Sequence, residues 1–209
     1  MNPKETAFYS SVDTFVTQLL AETPVAATQL GDHRFDHRLG EHSADALRCQ
    51  ENQLRQALRE LDAIDTSTFG SDAAVDHTVV VRLVRSFLRE TEPLRTHERS
   101  PGTYVDECLG GVFLILVRDF APFPVRMRAV LGRLREVPRV LAEAKKNLVP
   151  ESVPPAWAEM AIDSATQGRQ LFTILVPLLA LRTPWLFPRV AVAARRAAAA
   201  VDDYTRFLR

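Results

Sequence analysis

PVRMRAVLGRLREVPRVLAEAKKN, residues 124–147, decides the fold class. Met127, Val130, Leu134, Val137 and Leu141 recur at intervals of three and four, the period that brings side chains to one face of an α-helix. Between them stand arginine, lysine, glutamate and alanine, all good helix formers. A strand would need alternation with period two, and none runs through the stretch. The helix is expected to begin near Pro122 or Pro124, because proline suits the first turn. Pro138 lies inside the pattern; it removes one backbone hydrogen bond and crowds the preceding turn, so a kink or a break is expected there.

Working outward, the same period recurs. A helix over about 101–119 precedes this one, and a loop over 147–154 follows it. Pro154-Pro155 opens the next helix, with Trp157, Ala161, Gly168 and Leu175 along one side and Pro177 and Pro184 at its end. Pro188 opens a last helix, with Val190, Ala194, Ala197, Val201, Tyr204 and Leu208 facing inward. At the other end of the chain, Asn2-Pro3-Lys4-Glu5 is a helix start signal, with asparagine as cap and proline at the first helical position. Phe8, Val12, Phe15 and Leu19 form that helix's apolar face, and Thr23-Pro24 stops or kinks it. Ser43 caps a helix striped by Leu47, Leu54, Leu58 and Leu61. Ser71 or Asp72 caps another, in which Val75, Val79, Leu83 and Phe87 recur every four residues. No segment alternates with period two and no repeat has a fixed period. The expected fold is all-α, about seven helices in an irregular antiparallel array with no significant sheet, in a single domain over 1–209.

Composition bounds the function. Lys and Arg number 26, as do Asp and Glu, so the 209-residue chain has no net charge, and 46% of it is hydrophobic. A dedicated binder of nucleic acid or of an anionic membrane would carry a basic excess. The apolar runs LGGVFLILV (109–117) and LFTILVPLLAL (171–181) fall short of the roughly 20 residues that cross a bilayer. The start, MNPKETAFYSSVDTF, has neither a basic nor an apolar leader region, so no signal peptide is expected. Cys49 and Cys108 are far apart and outside any metal-type spacing, as in a reduced cytoplasmic protein.

Three stretches carry candidate chemistry. HERSPGTY (97–104) begins like the H-E-x-x-H helix that places two imidazoles on one zinc ion with a glutamate beside the bound water. Pro101 stands where the second histidine would be. Ser100 as cap and Pro101 as first residue read instead as a junction between helices, with Asp106 and Glu107 near the positive end of the helix dipole. GDHRFDHRLGEH (31–42) is dense in possible ligands: Asp32, His33, Asp36, His37 and His42. His33 and His37 could share a metal on a helix, but Gly31 and Gly40 bracket the segment and Arg34 and Arg38 would repel a cation. A solvated loop with local Asp/Arg pairs is expected. The third is a basic band, Arg118, Arg126, Arg128, Arg133, Arg135, Arg139, Lys145 and Lys146, expected as a solvated face or one that docks onto an acidic neighbour. Gly110-Gly111 suggests a close helix crossing. No G-x-S-x-G, phosphate-binding loop or G-x-G-x-x-G occurs. ARRAAAAVDDYTRFLR runs to Arg209 in strong helix formers with no stop signal, as in a fraying last helix or one cut from a longer helical protein.

The order of TPVAATQLGDHRFDHRLGEHS (23–43), HERSPGTY (97–104), GGVFLILVRDFAPFPVRMRAVLGRLREVPRVLAEAKKNL (110–148) and PPAWAEMAI (154–162) resembles the N-terminal part of a bacterial family known as domain of unknown function 885. Its members look like zinc-dependent metallopeptidases. The resemblance implies a mostly helical enzyme whose H-E-x-x-P-G-H-like motif lies well downstream of Arg209, so no catalytic, cofactor-binding or metal-ligating residue carries over. Pro101 and Tyr104 match a different family segment. Zinc is implied for the full-length family and no cofactor for this chain. Asp32, His33, Asp36 and Tyr104 are the substrate-facing candidates. The expected partners are a missing C-terminal catalytic half, or a second copy meeting an exposed apolar face, and a peptide substrate; nucleic acid and membrane are not expected. The expected role is one wall of a peptidase cleft, catalytically silent alone. The rival expectations are a stand-alone helical interaction module and a metal-binding protein using the 31–42 loop.

Overall fold

The computed structural model describes residues 3–209, so the cap expected at Asn2 lies outside the described residues. Those residues contain no strand, and seven helices of 16 residues or more carry the architecture. The described residues fall into two compact units: 3–21 with Ser43–Thr96, and Glu22–His42 with His97–Arg209.

The first unit contains α1 (Pro3–Glu22, its last residue already in the second unit), α3 (Ala44–Asp62) and α4 (Ser71–Thr91). Its core is Phe8, Leu54, Leu61, Val81, Val84 and Leu88. Ser43 caps α3 as expected, its hydroxyl accepting from the Ala46 N–H at 3.2 Å. The helix dipole and the open N–H groups at α4's start make a carboxylate welcome there. Glu5 meets that need by accepting from the N–H of Gly70, the α4 cap residue, at 2.8 Å. The buried face of α4 is not the expected one. Val75, Val79 and Leu83 are exposed, while Ala73, Val81, Val84 and Leu88 point inward. The helix is apolar on two overlapping stripes, and packing against α3 and Phe8 selects between them.

The second unit holds α2 (Pro24–Leu30), α5 (Thr96–Arg99, which starts at the unit boundary), α6 (Pro101–Val117), α7 (Phe123–Asn147), α8 (Pro155–Gln170), α9 (Val176–Ala180) and α10 (Phe187–Leu208). Non-helical Thr23 separates α1 from α2 as the Thr-Pro pair predicts. Gly31 ends α2 in the left-handed conformation, φ 94°, and its N–H closes on the Ala27 and Thr28 carbonyls. α7 packs against both α6 and α10, and all five of its expected inward positions are buried. It runs through Pro138 without a break. An interior proline costs about 3 kcal/mol, whereas each fully buried Val, Leu or Met contributes about 1.5–3 kcal/mol. Two-sided packing therefore outweighs the proline.

α8 and α9 are joined by a π-helical turn, Leu171–Leu175. Pro177 explains its place: it has no N–H for the Thr173 carbonyl, and its ring needs the wider turn. The inner face here is Ala161, Ala165, Phe172, Val176 and Ala180. Trp157, on the same expected stripe as Ala161, is exposed.

Candidate functional site

The 31–42 segment is a strap laid over α6 and α7. It contains no α-helix, only one 3-10 turn, His33–Phe35. The expected local pair is present: Asp32 accepts from the Arg34 backbone N–H at 3.1 Å and from its guanidinium at 2.7 Å. The strap is less solvated than its polarity predicts, because Asp36 and Leu39 are buried. Gly111 makes room for it. A Cβ there would meet the Leu39 and Val25 side chains at 2.9 Å, so the glycine serves the strap and α2 and not the close helix crossing expected of Gly110-Gly111.

One end of the strap is held by Arg133, which is fully buried. Its guanidinium donates to the carbonyls of Arg38 (3.0 Å), Pro24 (3.1 Å) and Gly111, and to the Thr28 hydroxyl. Asp36 is the nearby counter-charge at 3.9 Å. Burial pulls the Arg133 pKa down to about 10, against the opposing pull of Asp36 and Glu107, so the group stays charged at neutral pH. Thr28 Oγ1 in turn donates to Asp36 at 2.6 Å, and the His33 ring contacts Asp36 at 3.0 Å while stacking on Phe120 at 3.6 Å between centroids.

Glu107 holds the other end. It accepts from the Gly40 N–H and contacts His42 Nε2 at 2.7 Å. Burial pushes its carboxyl pKa up, but the hydrogen bond and charge of the His42 ring, the Gly40 N–H and the charge of Arg133 outweigh burial and hold it below the ordinary value. Asn147 donates to the His42 carbonyl at 2.7 Å and to the Tyr104 hydroxyl at 3.2 Å, and Tyr104 donates to the His97 carbonyl at 2.7 Å. Burial raises the Tyr104 pKa to about 12. A carboxylate beside an imidazole can serve as an oriented general base. Here both partners are tied to the strap, and the arrangement works as a clamp.

The four substrate-facing candidates therefore separate. His33 and Asp36 meet directly, beside Arg133; Asp32 stays with Arg34, and Tyr104 belongs to the Glu107 end. Asp36 and Tyr104 are buried; Asp32 and His33 are partly exposed. Arg133, Glu107, His42 and Asn147 were not recognisable as one group. Tyr104, Glu107 and Gly111 do share one face of α6 by their spacing, and that was the available signal.

The basic band is not one solvated face. Arg126 is buried and donates to the carbonyls of Leu116 (3.0 Å), Arg118 (2.8 Å) and Ala121 (3.0 Å), closing the C-terminal end of α6, where carbonyls lack helical donors. Arg118 does the same for α2 through the Gln29 carbonyl at 2.7 Å. Arg139 joins Glu41 and Glu143 at 3.0 Å each.

HERSPGTY is a helix junction. α5 ends at Arg99, α6 begins at Pro101, and Ser100 takes the cap position without a side-chain bond to the helix backbone; its hydroxyl accepts from Thr103 at 2.9 Å. Among the described residues no group of three or more His, Cys, Asp or Glu is gathered as a metal ion would require. A groove of about 390 Å³ lies beside this junction, lined by Gly102, Asp106, Trp157 and Met160 among others.

Residues 24–209 match the family described as "Bacterial protein of unknown function (DUF885)". The chain belongs to this family. The DUF885 match spans both the strap and the helices that hold it. A solved structure from Shewanella oneidensis, described as a putative lipoprotein of unknown function, has the same fold, with a TM-score of 0.87 at 18% identity. The alignment covers 96% of this chain and 37% of that one, so the DUF885 chain spans well under half the length of that neighbour. No curated protein matches it. No helix among the described residues is long and apolar enough to cross a membrane.

Proposed function

We propose that this chain is the N-terminal helical part of a longer hydrolase, a wall of its substrate cleft that performs no chemistry alone. The observation that carries this reading is the outer face of the π turn and α9. Ile174, Leu178 and Leu181 recur at helical spacing and are 60%, 60% and 57% exposed, with Trp185 at 62% beyond them. Contiguous exposed apolar surface of this kind marks a face that other polypeptide covers. The greater length of the Shewanella oneidensis neighbour supports the same reading. In it the parent is a zinc-dependent peptidase, with its metal on the remaining polypeptide. Asp32 and His33 are then the strap residues available to a peptide substrate, with Asp36 behind His33 and Tyr104 acting at the other end of the strap.

The test is an assay of the purified chain on a peptide mixture with and without zinc. No metal-dependent cleavage is expected. Cleavage that follows the chain through purification and disappears in His97→Ala overturns the reading.

A second reading, a helical interaction module without activity, is favoured by the continuous core that α6, α7, α8 and α10 already build between them. Sedimentation separates the two: a clean monomer that binds no hydrophobic dye supports the module. Two free cysteines support a cytoplasmic location, while the neighbour's description as a lipoprotein points to the cell envelope; cell fractionation decides.

A further inference from the structure

A groove of about 620 Å³ runs between α7 and α10, away from the strap. Leu134, Pro138, Val192 and Ala193 form its apolar floor, and Arg135, Arg189 and Arg196 stand on its rim. No acidic residue lines it. All three arginines are exposed, and among the described residues none has a hydrogen-bond or ion-pair partner, whereas Arg118, Arg126, Arg133 and Arg139 each have one. In a chain with no net charge, three unpaired guanidinium groups around one groove are a local excess.

We propose that this groove docks an amphipathic helix of a partner protein bearing two carboxylates seven residues apart with apolar residues between them. The register comes from α10. Arg189 and Arg196 are seven residues apart, which is two turns or about 10.5 Å along the helix. Val192 and Ala193 fall between them on the same side. A partner helix with glutamate or aspartate at one position and again two turns on meets both guanidinium groups, each able to take a carboxylate through paired N–H donors. Apolar side chains between the carboxylates then reach the floor, as in other helix-in-groove complexes. A fatty acid has one carboxylate and cannot bridge both arginines. Single-stranded nucleic acid binds through stacked aromatic side chains as well as charge, and no aromatic residue lines the groove. The proposal concerns a different face from the α9 surface and stands without the cleft-wall reading.

The experiment measures fluorescence anisotropy of a labelled helical peptide, with two glutamates seven residues apart and two leucines between, against the full chain at low salt. Saturable binding is expected, weaker by about fivefold to tenfold in Arg189→Gln/Arg196→Gln, since exposed ion pairs contribute little each. Val192→Glu, also at an exposed position, is expected to remove binding by like-charge repulsion, with circular dichroism confirming an unchanged fold. Absence of saturable binding overturns the proposal. So does equal binding of the peptide with glutamines in place of glutamates, or an unchanged affinity in the double arginine variant. Tighter binding to phosphatidylglycerol vesicles or to a single-stranded oligonucleotide than to the peptide overturns it as well, as does a dimer that Arg196→Gln dissociates.

Discussion

Gly132 of α7 lies directly against the main chain of His37: a Cβ on Gly132 would collide with the His37 carbonyl oxygen. The neighbour is backbone, held in a strap that Arg133 and Glu107 fix at both ends, so it cannot move aside as a flexible side chain would. Gly132→Ala is therefore expected to destabilise the protein by about 1–3 kcal/mol through overpacking, although alanine improves helix propensity by about 1 kcal/mol. Gly110 is the control, because a Cβ there meets nothing within 4 Å. Gly110→Ala is expected to stabilise by up to about 1 kcal/mol. Urea denaturation of both variants checks the opposed signs, and equal effects would count against the strap's tight fit.

Arg133 is fully buried, and its loss removes four hydrogen bonds at once. Removing it takes the guanidinium donors from the Arg38, Pro24 and Gly111 carbonyls and the arginine charge from beside Asp36, which keeps only Thr28 and His33, in a buried layer. Arg133→Met is expected to cost about 3–5 kcal/mol, the usual loss when one partner of a buried charged group is deleted. Arg133→Lys is expected to rescue little, since an ammonium group lacks the planar fork that reaches several carbonyls at once. Thermal unfolding monitored by circular dichroism gives both values; full recovery by lysine would show that charge alone matters here.

Acid should weaken the other end of the strap first. The Glu107 pKa is lowered in the folded chain from an ordinary value of 4.5. A carboxylate with a lowered folded pKa adds stability above its unfolded pKa and loses it as pH falls through the folded one. Glu107→Gln is thus expected to cost about 1–3 kcal/mol at neutral pH. The gap to the parent protein should close as pH falls below 4.5. Denaturation midpoints across that range test the convergence; parallel curves would remove Glu107 from the acid response.

The α7 period was legible because the helix is packed on two sides, and every apolar position in its stripe has somewhere to go. The α4 stripe was not, since Val75, Val79 and Leu83 compete with Val81, Val84 and Leu88 and only the tertiary partners choose. The strap is hard to read for a different reason. Its density of Asp, His and Arg reads as a solvated surface, yet Asp36 within it is buried, and the acceptors for Arg133 are carbonyls from Pro24, Arg38 and Gly111, far apart in the chain. Backbone carbonyls leave no trace in residue type, so a buried arginine that binds them looks like any other member of a basic helix.

The outer face of α9 gives a prediction that separates packing from association. Leu178 and Leu181 are 60% and 57% exposed, so replacing them with serine removes little buried surface. Leu178→Ser/Leu181→Ser is expected to change folding stability by no more than about 0.5 kcal/mol, as surface substitutions do. Self-association and dye binding should fall, because the contiguous patch is broken. Sedimentation velocity at several protein concentrations, beside a denaturation curve, reads both quantities. A large loss of stability would mean that these side chains belong to the core. Unchanged association would place the sticky face elsewhere, with the exposed Val75, Val79 and Leu83 of α4 as the next residues to change.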